Sequence, residues 1–263
     1  GALARFAQRV HLRMRAAGIE VRSGLMREAA RELNLGFFSR IERDRPWVRV
    51  KLAMSLDGRT ALADGSSKWI TGEAARADVH RWRARSSATL TGIGTVLADD
   101  PRLTVRLPEG TDFTPPLRVV LDSRLRTPAG SHILDGSTPT LLLHATSARP
   151  ADARFERVEL AAVAEREETL DLGAVLALLA ERQCSELHVE AGPILCGALV
   201  EAGLADEILL YVAPLLLGDT ARPLLNLPPL ASMAERWRLR TVEQRMLGED
   251  WRLLLRPIGK DGH

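Results

Sequence analysis

The chain is predicted to fold as an α/β domain with a mixed, mostly parallel sheet and an antiparallel C-terminal hairpin. Three observations predict this. Short apolar segments at 88–91, 117–121, 140–143 and 186–190 alternate with longer connections, some of helical period, as parallel strands joined by crossovers do. Two of these segments run directly into glycine turns, Gly92-Ile93-Gly94-Thr95 and Ala191-Gly192-Pro193. The end of the chain reads instead as consecutive strands at 207–212, 237–245 and 251–255, the last two joined by Leu247-Gly248-Glu249-Asp250.

Residues 1–45 read as an appendage. Leu3, Phe6, Val10, Met14 and Ala17 recur at helical spacing up to Gly18, with Arg5, Arg9 and Arg13 on another face. Ser23 is placed to cap a second helix through Leu25, Met26, Ala29 and Leu33, ended by Asn34 and Gly36. Arg43-Asp44-Arg45-Pro46 marks the boundary with a main domain at 46–263. That domain opens on a strand in which Val48, Val50, Leu52 and Met54 alternate with Arg49, Lys51 and Ala53. Asp57-Gly58 and Asp64-Gly65 are turn signals. Thr71 is placed to cap a helix with one stripe of Ala75, Val79 and Trp82 and another of Arg76, His80 and Arg83. The Pro-, Gly- and Thr-rich stretch 107–116 reads as an exposed loop, and Asp171 as the cap of a helix carrying Leu172, Val175, Leu176 and Leu179.

Composition narrows the function classes. The 263 residues can bury a substantial core. Their 36 basic and 34 acidic side chains leave a formal net charge of +2, too balanced to favour nucleic acid or a membrane surface. No apolar run is long enough to cross a bilayer. Cys184 and Cys196 have neither disulfide-framework nor zinc spacing, and the histidines have no ligand spacing, so no metal is expected and a reducing, cytoplasmic setting fits. The chain opens on Gly1 rather than methionine, as a processed or trimmed chain does.

The chemistry concentrates at strand ends. An acidic residue, Glu190, ends one strand, and Gly192 and Pro193 open a helix at once. Free backbone N–H groups and the helix dipole make such a junction an anion site. The run is not a P-loop, because Ala198-Leu199 follow Gly197 where Lys-Ser/Thr would stand. Gly92-Ile93-Gly94-Thr95 lacks the third glycine of a dinucleotide fingerprint, since Leu97 holds that place. Lys51 is either a solvated edge lysine or, in a sheet covered on both faces, a functional one. Glu190 is either a turn-capping surface carboxylate or a catalytic group.

Longer blocks carry a resemblance. The segment 51–61 (Lys-Leu-Ala-Met-Ser-Leu-Asp-Gly-Arg-Thr-Ala), Ser67-Lys68-Trp69-Ile70-Thr71, the ordered block 92–106, the run 189–197, Tyr211-Val212-Ala213-Pro214 and Leu217-Gly218 resemble the reductase domain of the bifunctional riboflavin-biosynthesis deaminase/reductases. Ala17-Gly18-Ile19-Glu20-Val21 and Leu33-Asn34-Leu35-Gly36-Phe37 resemble the tail of that family's deaminase half. No P-C-x-x-C element is present, so a deaminase zinc site cannot form here. Either the deaminase half was removed, or this is a reductase remnant with an inherited linker.

The resemblance implies a three-layer α/β/α, dihydrofolate-reductase-like fold. It also implies NADPH-dependent reduction of a phosphoribosylaminopyrimidine, 5-amino-6-(5-phosphoribosylamino)uracil, to its ribitylamino phosphate. Ala53, Trp69, Thr95, Asp99, Ser123 and the turn Gly192, Pro193, Ile194, Leu195, Cys196, Gly197 and Ala198 are then expected to bind NADPH. Ser67, Arg83, Leu103, Arg106 and Glu190 are expected at the substrate, with Arg83 or Arg106 on its phosphate and Lys51 near the sugar. Lys51 and Glu190 are the expected catalytic pair. A homodimer, with the apolar 204–217 region as its interface, and fusion to a zinc deaminase domain are further expectations. Two rival readings are a reductase of the undeaminated diaminopyrimidine and a non-catalytic nucleotide-binding module.

Overall fold

The computed structural model describes residues 2–149 and 153–258. Three helices come first, α1 (Ala2–Ala16), α2 (Arg27–Leu33) and α3 (Leu35–Arg43). The strands and helices of the main domain then follow in order: β1 (Trp47–Ser55), β2 (Arg59–Ala61), α4 (Glu73–Ala84), β3 (Ala88–Gly92), α5 (Ile93–Asp99), β4 (Leu117–Leu121), β5 (Thr140–Ala145) and β6 (Glu159–Val163). The short β7 (Glu165–Arg166) and β8 (Thr169–Leu170) precede α6 (Leu172–Glu181), β9 (Glu186–Val189), α7 (Pro193–Glu201) and β10 (Glu207–Ala213). The chain closes with β11 (Arg222–Pro223), β12 (Arg238–Leu247) and β13 (Asp250–Ile258).

Nine strands form one sheet in the order β12-β13-β10-β1-β9-β3-β4-β5-β6. From β10 to β6 all neighbours are parallel, while β13 and β12 join antiparallel at the other edge. This is the mixed, mostly parallel sheet expected, with its C-terminal hairpin. β1 lies at the centre, so Lys51 is not an edge residue.

The two faces of the sheet differ in chemistry. Val48, Val50, Leu187, Val189, Ala88, Leu90, Val119, Ile208 and Leu210 share one face and pack with Val175, Leu176 and Leu179 of α6 and Leu199 of α7. The register that aligns these residues sends Arg49 and Lys51 of β1, His188 of β9 and Thr89 and Thr91 of β3 to the opposite face. There Ala75, Val79 and Trp82 of α4 cover Leu209 and Tyr211, and Val96 of α5 covers Val120 and Leu142. Helices therefore flank the sheet on both sides, and one of the two interlayers is polar.

Several local expectations need correction. Ser23 caps nothing: α2 starts at Arg27 after a left-handed Met26, and its Leu33 and the preceding Leu25 are 84% and 89% exposed. Gly36 does not end the helical region but lies inside α3, because a β-carbon there would stand 2.6 Å from Ser185 O and Glu186 Cγ. The N-cap of α4 is Gly72 rather than Thr71, and its N–H donates to Asp250 Oδ2 at 2.7 Å. Asp171 caps α6 as read, accepting from Ala174 N at 3.0 Å. The 204–217 region, expected to form the interface, keeps only Leu204, Asp206 and residues 214–217 accessible. It contains β10, buried at every residue between β1 and β13.

Candidate active site

The site is built at the C-terminal ends of β1, β9, β3 and β4, four adjacent strands. Parallel strands deliver their carboxyl ends to one rim of the sheet, where crossover helices begin. β1 pairs Val50 with Val189 of β9, which places Lys51 and Glu190 one step further on, side by side on the polar face. Glu190 N donates to Leu90 O at 2.9 Å, tying the end of β9 to β3.

Arg83 reaches this face from the last turn of α4. Its Nε and Nη2 grip both oxygens of Glu190, the latter at 2.9 Å, and Nη1 donates to Thr104 O at 2.8 Å. Burial opposes charge on Glu190, but the Arg83 guanidinium outweighs it and holds the carboxyl well below its ordinary range. Lys51 Nζ makes no hydrogen bond with the described residues. Burial lowers its pKa, against the Glu190 carboxylate, which raises it. The result is a pinned, ionised carboxylate beside an amine whose pKa burial lowers from its ordinary value.

Two helix N-termini open next to this pair. Gly192 is the extended N-cap of α7 with Pro193 in the first turn, and Gly92 is the N-cap of α5. The two turns touch: a β-carbon on Gly92 would lie 3.3 Å from Leu195 Cδ2. The first-turn N–H groups of α7 at Ile194 and Leu195 have no intrahelical acceptor, and no heavy atom lies within 4 Å of where a Gly192 β-carbon would be. An open, electropositive cradle of this kind fits a phosphate or pyrophosphate. The far half of the turn does not reach it. Cys196 is fully buried, its thiol pushed up to about 12 by burial, and a β-carbon on Gly197 would stand 2.1 Å from Asn226 O. Cys196 and Gly197 therefore shape the turn from behind.

The remaining expected residues fall into three groups. Ala53 near the end of β1, Thr95 in the first turn of α5 and Ser123 after β4 stand at the same rim, and Asp99 follows four residues after Thr95 on that side of α5, at its C-terminal end. Ser123 also borders an open cleft of about 490 Å³ that includes Arg124, Ser147, Arg149 and Phe155. Trp69 projects from the loop after β2, 68% exposed, with the Arg76 guanidinium 4.6 Å from its ring centre, and Ser67 lies two residues before it. Leu103 is different from the expectation of a side-chain contact. Its side chain is buried among Val96, Val120 and Leu125, so only its left-handed backbone is available to a ligand.

Arg106 presents its N–H and Nε to the two ring nitrogens of His80, each at 3.2 Å. A neutral imidazole has one acceptor nitrogen, so a single one of these contacts is a hydrogen bond. Burial and the Arg83 and Arg106 charges push His80 down to about 4, which keeps it neutral. Of the two arginines expected at the substrate phosphate, Arg83 is committed to Glu190, whereas Arg106 is exposed and meets no carboxylate among the described residues.

Three groups of the polar face escaped the sequence reading. His188 lies behind Glu190, its Nε2 3.3 Å from Oε1. Although His188-Val189-Glu190 spells the histidine half of a zinc-deaminase signature, it sits in a sheet strand, and no metal-binding cluster of His, Cys, Asp or Glu forms among the described residues. Asp78 accepts from Tyr211 Oη, Trp82 Nε1 and Arg252 Nη1, anchoring α4 to β10 and β13. Asp57 accepts from Ser55 Oγ and from Leu217 and Gly218 N–H. It thereby ties the turn after β1 to the loop after β10, and its pKa falls to about 2, chiefly through the Ser55 hydrogen bond. Of the three only His188 lies in a buried strand, where a polar residue between Leu187 and Val189 was the available signal; Asp78 on α4 and Asp57 in the turn after β1 acquire their roles from long-range contacts.

A paired lysine and carboxylate beside a nucleotide-type cradle, at the rim of a doubly covered parallel sheet, define an α/β enzyme of the cofactor-dependent class. The RibD C-terminal domain family matches residues 46–253. The riboflavin biosynthesis protein RibD of Escherichia coli strain K12 is 41% identical over 250 residues, covering 90% of this chain and 67% of that protein. The structure of Acinetobacter baumannii RibD superposes with a TM-score of 0.83 at 38% identity, over 93% of this chain and 67% of the other. A diaminohydroxyphosphoribosylaminopyrimidine deaminase/5-amino-6-(5-phosphoribosylamino)uracil reductase from Thermotoga maritima superposes with a TM-score of 0.77 at 27% identity, over 94% and 66% of the two chains. The chain belongs to the RibD C-terminal domain family and is a reductase of riboflavin biosynthesis.

Proposed function

We propose that the enzyme reduces 5-amino-6-(5-phosphoribosylamino)uracil to its ribitylamino phosphate with NADPH. The observation that carries this reading is the Lys51–Glu190 pair standing beside the open N-terminus of α7. NADPH, when bound, supplies the hydride that adds to the sugar carbon bearing the amine, in its ring-opened, imine-like form. Gly192, Ile194 and Leu195 hold the pyrophosphate through backbone N–H groups, and Thr95 and Asp99 line the neighbouring α5 turn. Trp69 walls the site on its exposed side, where a flat ring can stack.

Pinned and ionised, Glu190 orients the sugar and offsets positive charge that develops at the imine. Lys51, with its weakened hold on a proton, supplies the proton that must accompany the hydride. Arg106 takes the substrate phosphate, since its guanidinium is exposed and meets no carboxylate among the described residues. Ser67 and the Leu103 backbone complete the substrate side. Residues 1–45 serve as the tail of a fused zinc deaminase half, and the enzyme works as a cytoplasmic homodimer.

A spectrophotometric assay tests the proposal. Loss of NADPH absorbance should require the deaminated ribosylaminopyrimidine phosphate and be much slower with NADH. Preference for the undeaminated diaminopyrimidine would replace the substrate assignment. Tight NADPH binding with no turnover on either pyrimidine would make the chain a nucleotide-binding module.

A further inference from the structure

His188 is an unusual residue for its place. Its β9 neighbours Leu187 and Val189 are apolar and fully buried, and it is itself 0% exposed in a central strand. A buried imidazole without hydrogen bonds costs about 1–3 kcal/mol, so an apolar side chain would pack there at less cost. Its polar surroundings are Glu190 on its own strand end, Arg49 and Lys51 on β1, Thr89 and Thr91 on β3, and Arg83 on α4. Burial lowers its pKa, Glu190 opposes this, and the nearby Arg49 and Arg83 charges lower it further.

We infer that His188 is a positioning residue: its imidazole donates from Nε2 to Glu190 Oε1 and holds that carboxylate toward the reacting sugar. This rests on the proposed roles of Glu190 and the NADPH site. Nε2 approaches Oε1 to 3.3 Å, but not along the line of a formed hydrogen bond, and a small ring rotation aligns it. Such contacts commonly tighten when substrate binds. The Arg83 fork fixes the plane of the carboxylate, and His188 approaches from the sheet beneath, so the two together leave Glu190 one position.

The second ring nitrogen supports the same assignment. Nδ1 has no partner among the described residues, and neither has Thr89 Oγ1. Thr89 is the direct register partner of His188 on β3, fully buried on the same face. The ionised Glu190 carboxylate only accepts, so it favours the tautomer with its proton on Nε2, and Nδ1 is then an acceptor that the Thr89 hydroxyl can serve, directly or through one water.

Two measurements on the full chain test this. Nitrogen-15 NMR of the imidazoles should find His188 neutral and protonated at Nε2; protonation at Nδ1 alone, or a charged ring at pH 7, overturns the inference. In the NADPH oxidation assay, His188→Gln keeps a donor near the Nε2 position and should stay within about three-fold of wild-type kcat. His188→Asn places its donor too short and should lose ten-fold or more in kcat, with KM for NADPH unchanged, as roughly expected when a reacting group is misplaced by an ångström. Equal losses in the two variants, or none in His188→Asn, also overturn it. If Glu190→Gln is fully active, the Glu190 role itself fails, and the NMR result still decides the His188–Glu190 bond. If either variant does not fold, the tautomer measurement on the wild type stands alone.

Discussion

Arg83 on α4 and Glu190 at the end of β9 form a two-pronged ion pair that crosses from a helix to the sheet beneath it. Both side chains are 13% exposed, so neither can regain full hydration if the other is lost. Removing one partner of a buried pair costs about 3–5 kcal/mol. Arg83→Met should therefore lower the urea midpoint markedly, whereas Glu190→Gln retains one acceptor for the fork and should cost less. Turnover should order the two differently. Glu190→Gln keeps the fold but removes the charge, and should reduce kcat by about a hundred-fold. The stabilising share of the pair has a defined pH window. Because the folded carboxyl lies well below 4.5, that share is complete above the unfolded value and is lost as pH falls through the folded one.

Lys51 determines the alkaline side of the pH profile. Its pKa is lowered from 10.5 by burial, so the ammonium should be lost below that pH, and kcat/KM should fall there with it. Lys51→Arg keeps a positive charge throughout and should erase this limb while lowering activity across the whole range. A profile unchanged in Lys51→Arg would assign the limb to another group and remove Lys51 from proton delivery.

Much of this arrangement was legible in the residues. β3, β4, β5, β9 and β10 were readable because central parallel strands are short apolar runs, and α6 because Asp171 stands where a cap belongs. α3 was missed because Gly36 reads as a stop, whereas it is a packing requirement imposed by Ser185 and Glu186. β6 was missed because Glu159-Leu-Ala-Ala-Val is a partly exposed edge segment with little apolar contrast. At the site, Lys51 was visible as a charge within a strand and Glu190 as one at a strand end. Their adjacency was not, because it follows from β9 inserting between β1 and β3, a long-range pairing that no local spacing encodes.

The turn from Gly192 to Gly197 separates cofactor contact from packing, and two alanine substitutions should resolve them. A β-carbon at Gly192 meets nothing within 4 Å and the residue has ordinary extended dihedrals. Gly192→Ala should therefore leave the Tm within a degree or two while raising Kd for NADPH, because the methyl group intrudes where the pyrophosphate approaches. Gly197→Ala puts a carbon 2.1 Å from Asn226 O, so the 226 backbone must move. Overpacking of this kind typically costs 1–3 kcal/mol. Thermal unfolding and NADPH titration of both variants would check the division. Equal losses of affinity with no change in stability for Gly197→Ala would show that the cofactor reaches further along the turn.

Asp78 is a test of how far the site depends on its foundation. Its Oδ2 accepts from Tyr211 Oη at 2.8 Å, Arg252 Nη1 at 3.0 Å and Trp82 Nε1 at 3.1 Å, all buried. Asp78→Ala strands the Arg252 charge against its remaining partner Glu243 and leaves two neutral donors without acceptors. The expected loss is about 3 kcal/mol or more. Asp78→Asn keeps the shape and a carbonyl acceptor and should lose less. Because α4 carries both Asp78 and Arg83, loosening its seat also loosens the grip on Glu190. Asp78→Asn should therefore lower kcat more than it raises KM for NADPH, whose cradle is built on α5 and α7. A variant with reduced stability but unchanged kcat would show instead that Arg83 is held by Thr104 and Glu190 alone, independently of how α4 is anchored.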